Sequence, residues 1–350
     1  MRLDDLHFSF NRIDGCQKDL NFVVSAREGG KSTAIAAKSA KAFNERKAPS
    51  IMLARQVADV TDAYIDSQAK IMRKFEFGRG LTYKRSELSV GVVYANDLET
   101  GLPRFVFAGM SAPLHRLKSL MIEAPAYIFN DEFMVNTRAG EKYLKGEVFR
   151  FKEIYSTFYR ETTGKGPKCY FCGNPYSFYN PYFAEYGIDP RKGRFQTGRN
   201  WAFEYYALDP RLIALIREKN PFFEEDNDYA RYAFGGEPIN DANIRILEKC
   251  PQNFTLWSVC TIAGKTLGIF VNNLPWGDND IDFWIGSIPE VGSRRLVTVF
   301  DFKDLAMNSV LFSSGDRLRF ARLKNAIQRR AVAYQTVEAD YLIEEVYSQL

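Results

Sequence analysis

Ser25-Ala26-Arg27-Glu28-Gly29-Gly30-Lys31-Ser32 holds the residue types that bind a chain of phosphates. Paired glycines let the backbone turn tightly and aim its N–H groups at one point, where they cradle phosphate oxygens. In such a loop Lys31 reaches the β- and γ-phosphates of ATP, and the Ser32 hydroxyl ligates the accompanying Mg²⁺. Ser25, Ala26, Arg27, Glu28, Gly29, Gly30, Lys31, Ser32 and Thr33 are therefore the expected nucleotide loop. The pattern G-x-x-x-x-G-K-[ST] begins with Gly, and this chain has Ser25 there. A serine makes the same turn where φ is negative. The bland alternative is a Gly-Gly-Lys-Ser turn opening an ordinary helix.

A second chemical pair lies downstream. Ala126-Tyr127-Ile128-Phe129-Asn130 is an apolar run that ends in Asp131-Glu132. One acid at such a strand end holds the Mg²⁺ of the nucleotide, a role assigned to Asp131. Its neighbour can polarise the attacking water, a role assigned to Glu132. Alone, the two acids would read as a solvated loop; with the glycine loop upstream they read as the other half of a nucleoside-triphosphatase site. Lys168-Cys169-Tyr170-Phe171-Cys172-Gly173-Asn174 repeats the pattern of an apolar strand ending in a polar residue. Asn174 can hydrogen-bond the water or the γ-phosphate and act as a sensor. Cys169 and Cys172 form a C-x-x-C, but three residues apart on a strand they point to opposite faces. With histidine only at His7 and His115, buried thiols are the expected reading, not zinc.

These residues need elements to hold them. Leu20-Asn21-Phe22-Val23-Val24 reads as a buried strand, and Thr33 to Phe43 as a helix free of Gly and Pro. Ser50 to Arg55 reads as a second strand, and Val57 to Phe77 as a helix with Val57, Val60, Tyr64, Ile71 and Phe75 inward. Leu88 to Tyr94 and Arg104 to Gly109 read as strands. Strands alternating with helices give an α/β sheet with parallel pairs. Residues 1–19 read as a polar lead-in.

The bulk properties are those of a globular protein. The chain has 350 residues, 46% apolar and 26% charged, with a formal net charge of +4. That charge permits nucleic-acid contact without demanding it. Met1-Arg2-Leu3-Asp4-Asp5 carries charges where a secretory segment would be apolar. Phe254 to Val271 is broken by Ser258, Thr261, Gly264, Lys265 and Thr266, so no membrane span is expected. Five cysteines fit reduced thiols in a cytoplasm.

Taken together, Leu20 to Ser32, Ile128 to Phe133, Cys169 to Asn174 and Asn180-Pro181-Tyr182-Phe183 resemble the DNA-packaging ATPase of the small, protein-primed tailed phages. The similarity runs through nearly all of the first two hundred residues, with a weaker echo at Thr266-Leu267-Gly268-Ile269-Phe270-Val271. Two departures are Ser25 for the first loop glycine and Asn130 for an apolar residue. The resemblance implies a P-loop NTPase of the additional-strand, catalytic-glutamate type, RecA/FtsK-like. It implies a homo-oligomeric ring, a pentamer, at the portal of an empty prohead, driving double-stranded DNA inward with ATP and Mg²⁺. It also implies a phage portal and a structural packaging RNA as partners, and a place in the host cytoplasm and transiently at the portal vertex, not in the mature virion. By motif position Arg160 matches an arginine supplied to the neighbouring subunit's site. Lys118 matches a second basic residue of that interface, and Arg55 an arginine near the nucleotide. On composition alone each is a solvated charge.

The domains expected are 1–207 for the ATPase, 208–247 for a helical linker and 248–350 for an α+β C-terminal domain. In the linker, Leu208 to Lys219 and Asp241 to Leu247 read as helices. After residue 250 strands are expected at Phe254 to Thr261, Lys265 to Asn272, Asp282 to Ile288 and Leu296 to Phe300. A helix from Gly315 to Tyr334 follows, basic at Arg317, Arg319, Arg322, Lys324, Arg329 and Arg330. Large packaging ATPases carry an RNase-H-like nuclease here, which needs clustered acids for two metals. The first two strands contain no acid, and Asp301 and Asp304 have no evident partner. The domain reads as nuclease-like without nuclease chemistry, a docking and DNA- or RNA-handling unit. Three other readings stay open: a RecA-like helicase or translocase, a terminase with an active nuclease, and a ring component that binds ATP without turning it over.

Overall fold

The computed structural model describes residues 6–73, 81–85, 91–118, 125–136, 141–161, 166–177, 180–219, 245–273, 281–288, 296–329, 331–347 and 349–350. The chain divides into two compact units, Met1–Asn240 and Asp241–Leu350. No described helix is long and apolar enough to cross a membrane.

The first unit is built on a sheet of nine described strands. In chain order they are β1 (Leu20–Ser25), β2 (Ser50–Ala54), β3 (Leu81–Arg85), β4 (Val92–Asp97), β5 (Pro103–Gly109), β6 (Tyr127–Asp131), β7 (Lys168–Gly173), β8 (Phe195–Thr197) and β9 (Trp201–Tyr206). Their order across the sheet is β3-β4-β5-β2-β6-β7-β1-β9-β8. From β5 to β9 neighbouring strands are parallel, whereas β3, β4 and β5 pair antiparallel, as do β8 and β9. Strand β7 comes late in the chain yet lies between β1 and β6, an extra strand between the glycine loop and the acid pair.

Every residue of β1 and β2 is buried, which is why both read as unbroken apolar runs. One face of the sheet, with Val23, Met52, Phe129 and Tyr170, packs on Ile35, Ala36 and Ala40 of helix α2 (Lys31–Arg46; α1 is Asn11–Asp14). The other face, with Phe22, Leu53, Ile128 and Phe171, packs on α5 (Glu147–Glu161) through Phe151, Ile154 and Phe158. The remaining helices are α3 (Asp62–Arg73), α4 (Leu114–Lys118), α6 (Pro181–Tyr186) and α7 (Pro210–Lys219). Cys169 and Cys172 fall in the two opposite packing layers, as the strand period requires.

Three expectations for this unit are corrected. The lead-in is not merely polar: Phe8 and Ile13 are fully buried, and Asp14 accepts from the Tyr170 hydroxyl at 2.6 Å and pairs with Lys38. Widely spaced apolar residues among polar ones gave no period to read. The helix expected from Val57 starts instead at Asp62, after a 3₁₀ turn at Val57–Asp59 capped by the buried Val60, and buries Ile65, Gln68 and Ala69. Its expected end near Phe77 lies outside the described residues. The strand expected from Leu88 is described only from Val92, and its antiparallel partner β3 was not expected. Helix α7 buries Leu212 and Ile216 in the first unit's core, and residues 220–244 of the expected linker lie outside the described residues.

In the second unit the described strands are β10 (Arg245–Ile246), β11 (Phe254–Ile262), β12 (Lys265–Asn272), β13 (Phe283–Ser287), β14 (Val297–Val299), β15 (Ser309–Leu311) and β16 (Val332–Tyr334). The sheet order is β10-β16-β13-β12-β11-β14-β15. Helices Ser314–Gln328 and Val337–Val346 bury Phe320, Leu323, Leu342 and Ile343 against Cys260, Ile269, Phe283 and Ile285. The helix expected to reach Tyr334 ends six residues earlier, and Val332–Tyr334 is a strand parallel to β13. Its side chains are buried and partly β-branched, and pairing with the sheet outweighs helical continuation. Arg245–Ile246, expected as part of a helix, is likewise a strand.

The basic helix does not present its charges as one free stripe. The Arg319 guanidinium lies over Trp257 at 5.5 Å, Arg322 lies over Phe283 at 5.5 Å, and Arg329 pairs with Asp282 at 2.8 Å. Arg330 lies outside the described residues. Asp301 caps the 3₁₀ turn Phe302–Asp304. Among the described residues no three His, Cys, Asp or Glu side chains gather as a metal-holding group.

Candidate nucleotide site

Parallel pairing brings the ends of β1, β2, β6 and β7 to one edge of the sheet, and the expected site residues with them. The loop after β1 turns through Glu28 and Gly30, both with positive φ, at +61° and +87°. Gly30 requires that conformation, and it also caps α2. Gly29 has no room for a side chain: a Cβ there would lie 2.9 Å from Ser25 Oγ and 3.0 Å from Leu208 Cδ2. Ser25 is not among the described residues with positive φ, so the turn does not need glycine at its first position.

Lys31 is folded back into this loop. Its Nζ donates to Ser25 O at 2.9 Å, Ser25 Oγ at 3.0 Å, Ala26 O at 3.1 Å and Asn174 Oδ1 at 3.0 Å. An ammonium has three protons for these four acceptors, so it is fully engaged. Burial holds Lys31 down at about 8, against the upward pull of the Asp131 carboxylate. Beside it the Ser32 hydroxyl donates to Asp131 Oδ2 at 3.1 Å. Burial raises the Asp131 carboxyl, opposed by Lys31 and that hydrogen bond. Ser32 and Asp131 thus offer two hard oxygens at one point, the donor type that suits Mg²⁺, which otherwise keeps waters and phosphate oxygens around it.

Glu132 stands next to this pair, solvent-exposed, with φ at +61°. Loss of hydration, then the Asp131 and Glu141 carboxylates, raise its carboxyl above the usual glutamate range. That is the direction expected of a group that must accept a proton. Arg27 and Glu28 are exposed on the loop, and Thr33 is half-buried. The Arg27 guanidinium donates to the Tyr176 hydroxyl at 3.3 Å.

Arg55 is at this edge but is committed elsewhere. Its Nε donates to Glu147 Oε2 at 2.9 Å, and Nη2 donates to Phe133 O at 2.7 Å and Glu132 O at 3.3 Å. The guanidinium lies 5.2 Å from the centre of the Tyr143 ring. Glu147 is fully buried and also accepts from the Tyr182 hydroxyl at 3.2 Å, which in turn accepts from Asn130 Nδ2 at 3.4 Å. Asn130, apolar in the resembled family, therefore has a polar partner behind the acid pair. This network was not legible in the sequence, where nothing links Arg55 to Glu147. Removing Arg55 strands a buried carboxylate. Arg55→Ala is expected to destabilise the chain by about 3–5 kcal/mol. Arg55→Met combined with Glu147→Gln should recover most of that, because no charge is left unpaired. Urea unfolding of both variants is the measurement, and a single-variant loss below about 1 kcal/mol would show the pair to be dispensable.

Two expected residues have no described side chain. Arg160 is the last but one residue of α5 and Lys118 is the last of α4. Both side chains lie outside the described residues.

No protein-family model matches the sequence, and no curated protein matches it. Solved structures do. A chain of the bacteriophage Phi-29 viral genome packaging motor assembly is similar over 98% of this chain and 99% of its own, at 18% identity and a TM-score of 0.66. A chain of the Phi-28 gp11 DNA packaging motor is similar over 98% of each, at 13% identity and a TM-score of 0.63. The present chain has the mixed α/β fold of those chains, along nearly its whole length.

Proposed function

We propose that the chain is a Mg²⁺-dependent ATPase that drives double-stranded DNA into a phage prohead. The observation that carries this is the convergence of Lys31, Ser32, Asp131 and Asn174 within hydrogen-bonding reach at one sheet edge. Its occurrence in a chain with the fold of two packaging-motor chains supports the choice of DNA translocation over other uses of ATP.

In the proposed cycle the loop N–H groups and the α2 N-terminus take the phosphates, and Lys31 releases its loop carbonyls to reach the β- and γ-oxygens. Ser32 and Asp131 hold Mg²⁺, whose charge offsets that developing on the phosphates. Glu132 orients the attacking water and accepts its proton. Asn174, freed when Lys31 turns to the phosphate, reports on the γ-position. Arg160 is assigned to the neighbouring subunit's site in a homo-oligomeric ring, with Lys118 as the second interface cation. A guanidinium there stabilises the equatorial oxygens in the transition state, so hydrolysis depends on the neighbour's position. The ring is a pentamer in this reading. It acts in the host cytoplasm at the portal vertex, with the portal and a structural packaging RNA as partners, and is absent from the mature virion. Residues 1–207 together with α7 supply the motor, the stretch between α7 and β10 within the expected 208–247 is the linker, and 248–350 with β10 form a nuclease-like domain without nuclease chemistry.

The test is phosphate release. It should rise several-fold only when portal-bearing empty proheads and linear double-stranded DNA are both present. Turnover indifferent to both would remove packaging as the function while leaving the ATPase.

A further inference from the structure

Two adjacent glycines leave one peptide unit of the phosphate loop unfixed by the loop itself. Neither Gly29 nor Gly30 carries a Cβ, and glycine takes φ of either sign. The plane between them therefore has two low-cost orientations, related by a half-turn. A trans peptide is planar, with its C=O and N–H on opposite edges, so holding one edge fixes the other. An N–H turned toward the loop centre attracts a phosphate oxygen, and a carbonyl oxygen turned there repels it.

A segment outside the loop makes the choice. The Phe8 N–H donates to Gly29 O at 2.8 Å, which turns the Gly30 N–H away from Phe8. Among the described residues that N–H has no acceptor, so it is left for a ligand. His7 closes the same side: a Cβ on Gly30 would fall 3.1 Å from His7 Cβ.

The strap Leu6–Asp14 is anchored by contacts that do not involve the loop, as a brace must be. Phe8 is fully buried, its ring 4.9 Å from Phe10 and 5.3 Å from Tyr206 of β9. Phe10 packs on Tyr170 of β7 at 4.7 Å. At the far end Asp14 accepts from the Tyr170 hydroxyl and pairs with Lys38 of α2. At the near end the Tyr206 hydroxyl donates to Leu6 O at 3.5 Å. The position of the Phe8 N–H is thus set by β7, β9 and α2.

We propose that this strap is a positioning element of the nucleotide site: the Phe8 N–H holds the Gly29–Gly30 peptide in the orientation that offers the Gly30 N–H to the phosphates. The inference rests on the phosphate reading of the loop, and its test keeps the two apart. Gly15-Cys16 is a junction for native chemical ligation, so the full chain is assembled from a synthetic 1–15 thioester and a recombinant remainder beginning at Cys16. Phenyllactic acid in place of Phe8 exchanges the N–H for an ester oxygen and keeps the anchoring ring. The same exchange at Ser9, whose N–H has no acceptor among the described residues, is the control.

Binding of ATP and of inorganic tripolyphosphate, both with Mg²⁺, is measured by calorimetry, and hydrolysis at saturating ATP alongside. The Phe8 ester should weaken both ligands by the same five- to tenfold or so, and the Ser9 ester should stay within about twofold of the ligated parent. The saturated rate of the Phe8 ester should also stay within about twofold, because a seated phosphate holds the same N–H. A purely structural role would lower the unfolding temperature and leave the affinity of the folded protein alone. Two recombinant variants make the comparison without ligation. Phe8→Ala and Phe8→Pro both lose the ring, but only the second loses the N–H, and it should bind both ligands more weakly than the first by a similar factor. The brace is overturned if the Phe8 and Ser9 esters bind alike, if Phe8→Pro binds no more weakly than Phe8→Ala, or if the loss is confined to ATP. Lys31→Ala should lose both ligands. If it keeps both, the phosphate reading itself fails, whatever the esters do.

Discussion

Glu132→Gln protein is expected to bind ATP like the parent and to hydrolyse it about 10²–10⁴-fold more slowly. The amide keeps the shape of the side chain, and the side chain is solvent-exposed, so packing is untouched. What is lost is a carboxylate whose proton affinity is raised by lost hydration and by the Asp131 and Glu141 carboxylates. Asp131→Asn should fail differently. It removes the charge opposite Ser32 and Lys31, so the Mg²⁺ dependence of binding itself should weaken. Single-turnover hydrolysis and nucleotide titrations with and without Mg²⁺ separate the two. Identical behaviour in binding and turnover would mean that the adjacent acids share one role.

The same variant tests the contribution proposed for a neighbouring subunit. In the proposed ring, Glu132→Gln protein has an inactive site but an intact Arg160. Arg160→Ala protein has an intact site and nothing to lend. In mixed rings some Arg160→Ala sites face an intact Arg160 and should regain hydrolysis, by a factor approaching the roughly 10³–10⁵ that such arginines contribute. The gain should rise with protein concentration, since it needs assembly. Mixtures that assemble yet show only summed activities would assign Arg160 to its own subunit, and Lys118 would be tested next.

The candidate site was legible where an apolar strand ends abruptly in a polar residue. Ser25, Asp131 and Asn174 each follow such a run, and parallel pairing of buried strands carries them to one edge. What escaped notice depends on contacts between distant segments. Phe8 and Phe10 look incidental among polar residues, yet Phe10 packs against Phe129 of β6 and Tyr170 of β7, and Phe8 packs between Phe10 and Tyr206 of β9. Arg55 carries no mark that its partner is Glu147, far along the chain. The short strand at Val332–Tyr334 continues a helix-favouring sequence and is decided by the vacancy beside β13. The fold of the first unit follows from local patterns; the bracing of the acid pair does not.

Lys31→Ala should abolish both tight nucleotide binding and turnover, and the reason lies in how the lysine is held. Its ammonium is buried and bonded to Ser25, Ala26 and Asn174, a set of acceptors that a phosphate chain can replace. Without it, the loop offers N–H groups but no mobile cation for the β- and γ-oxygens. The same burial gives a pH signature. With no nucleotide, Lys31 loses its proton near pH 8, well below the usual lysine value. A bound polyanion favours the charged form and raises that value. Below pH 8 the lysine is charged in both states and affinity is flat. Above pH 8 the free protein must take up a proton to bind, so affinity should fall by up to about tenfold per pH unit until the bound-state value is passed. Calorimetry in buffers of different ionisation enthalpy would register that uptake, approaching one proton per nucleotide. Lys31→Ala protein, assayed at high nucleotide concentration, should show weak binding with no such pH dependence. If the variant keeps the parent's fall above pH 8, the titrating group is another residue and Lys31 is not the cation that meets the phosphates.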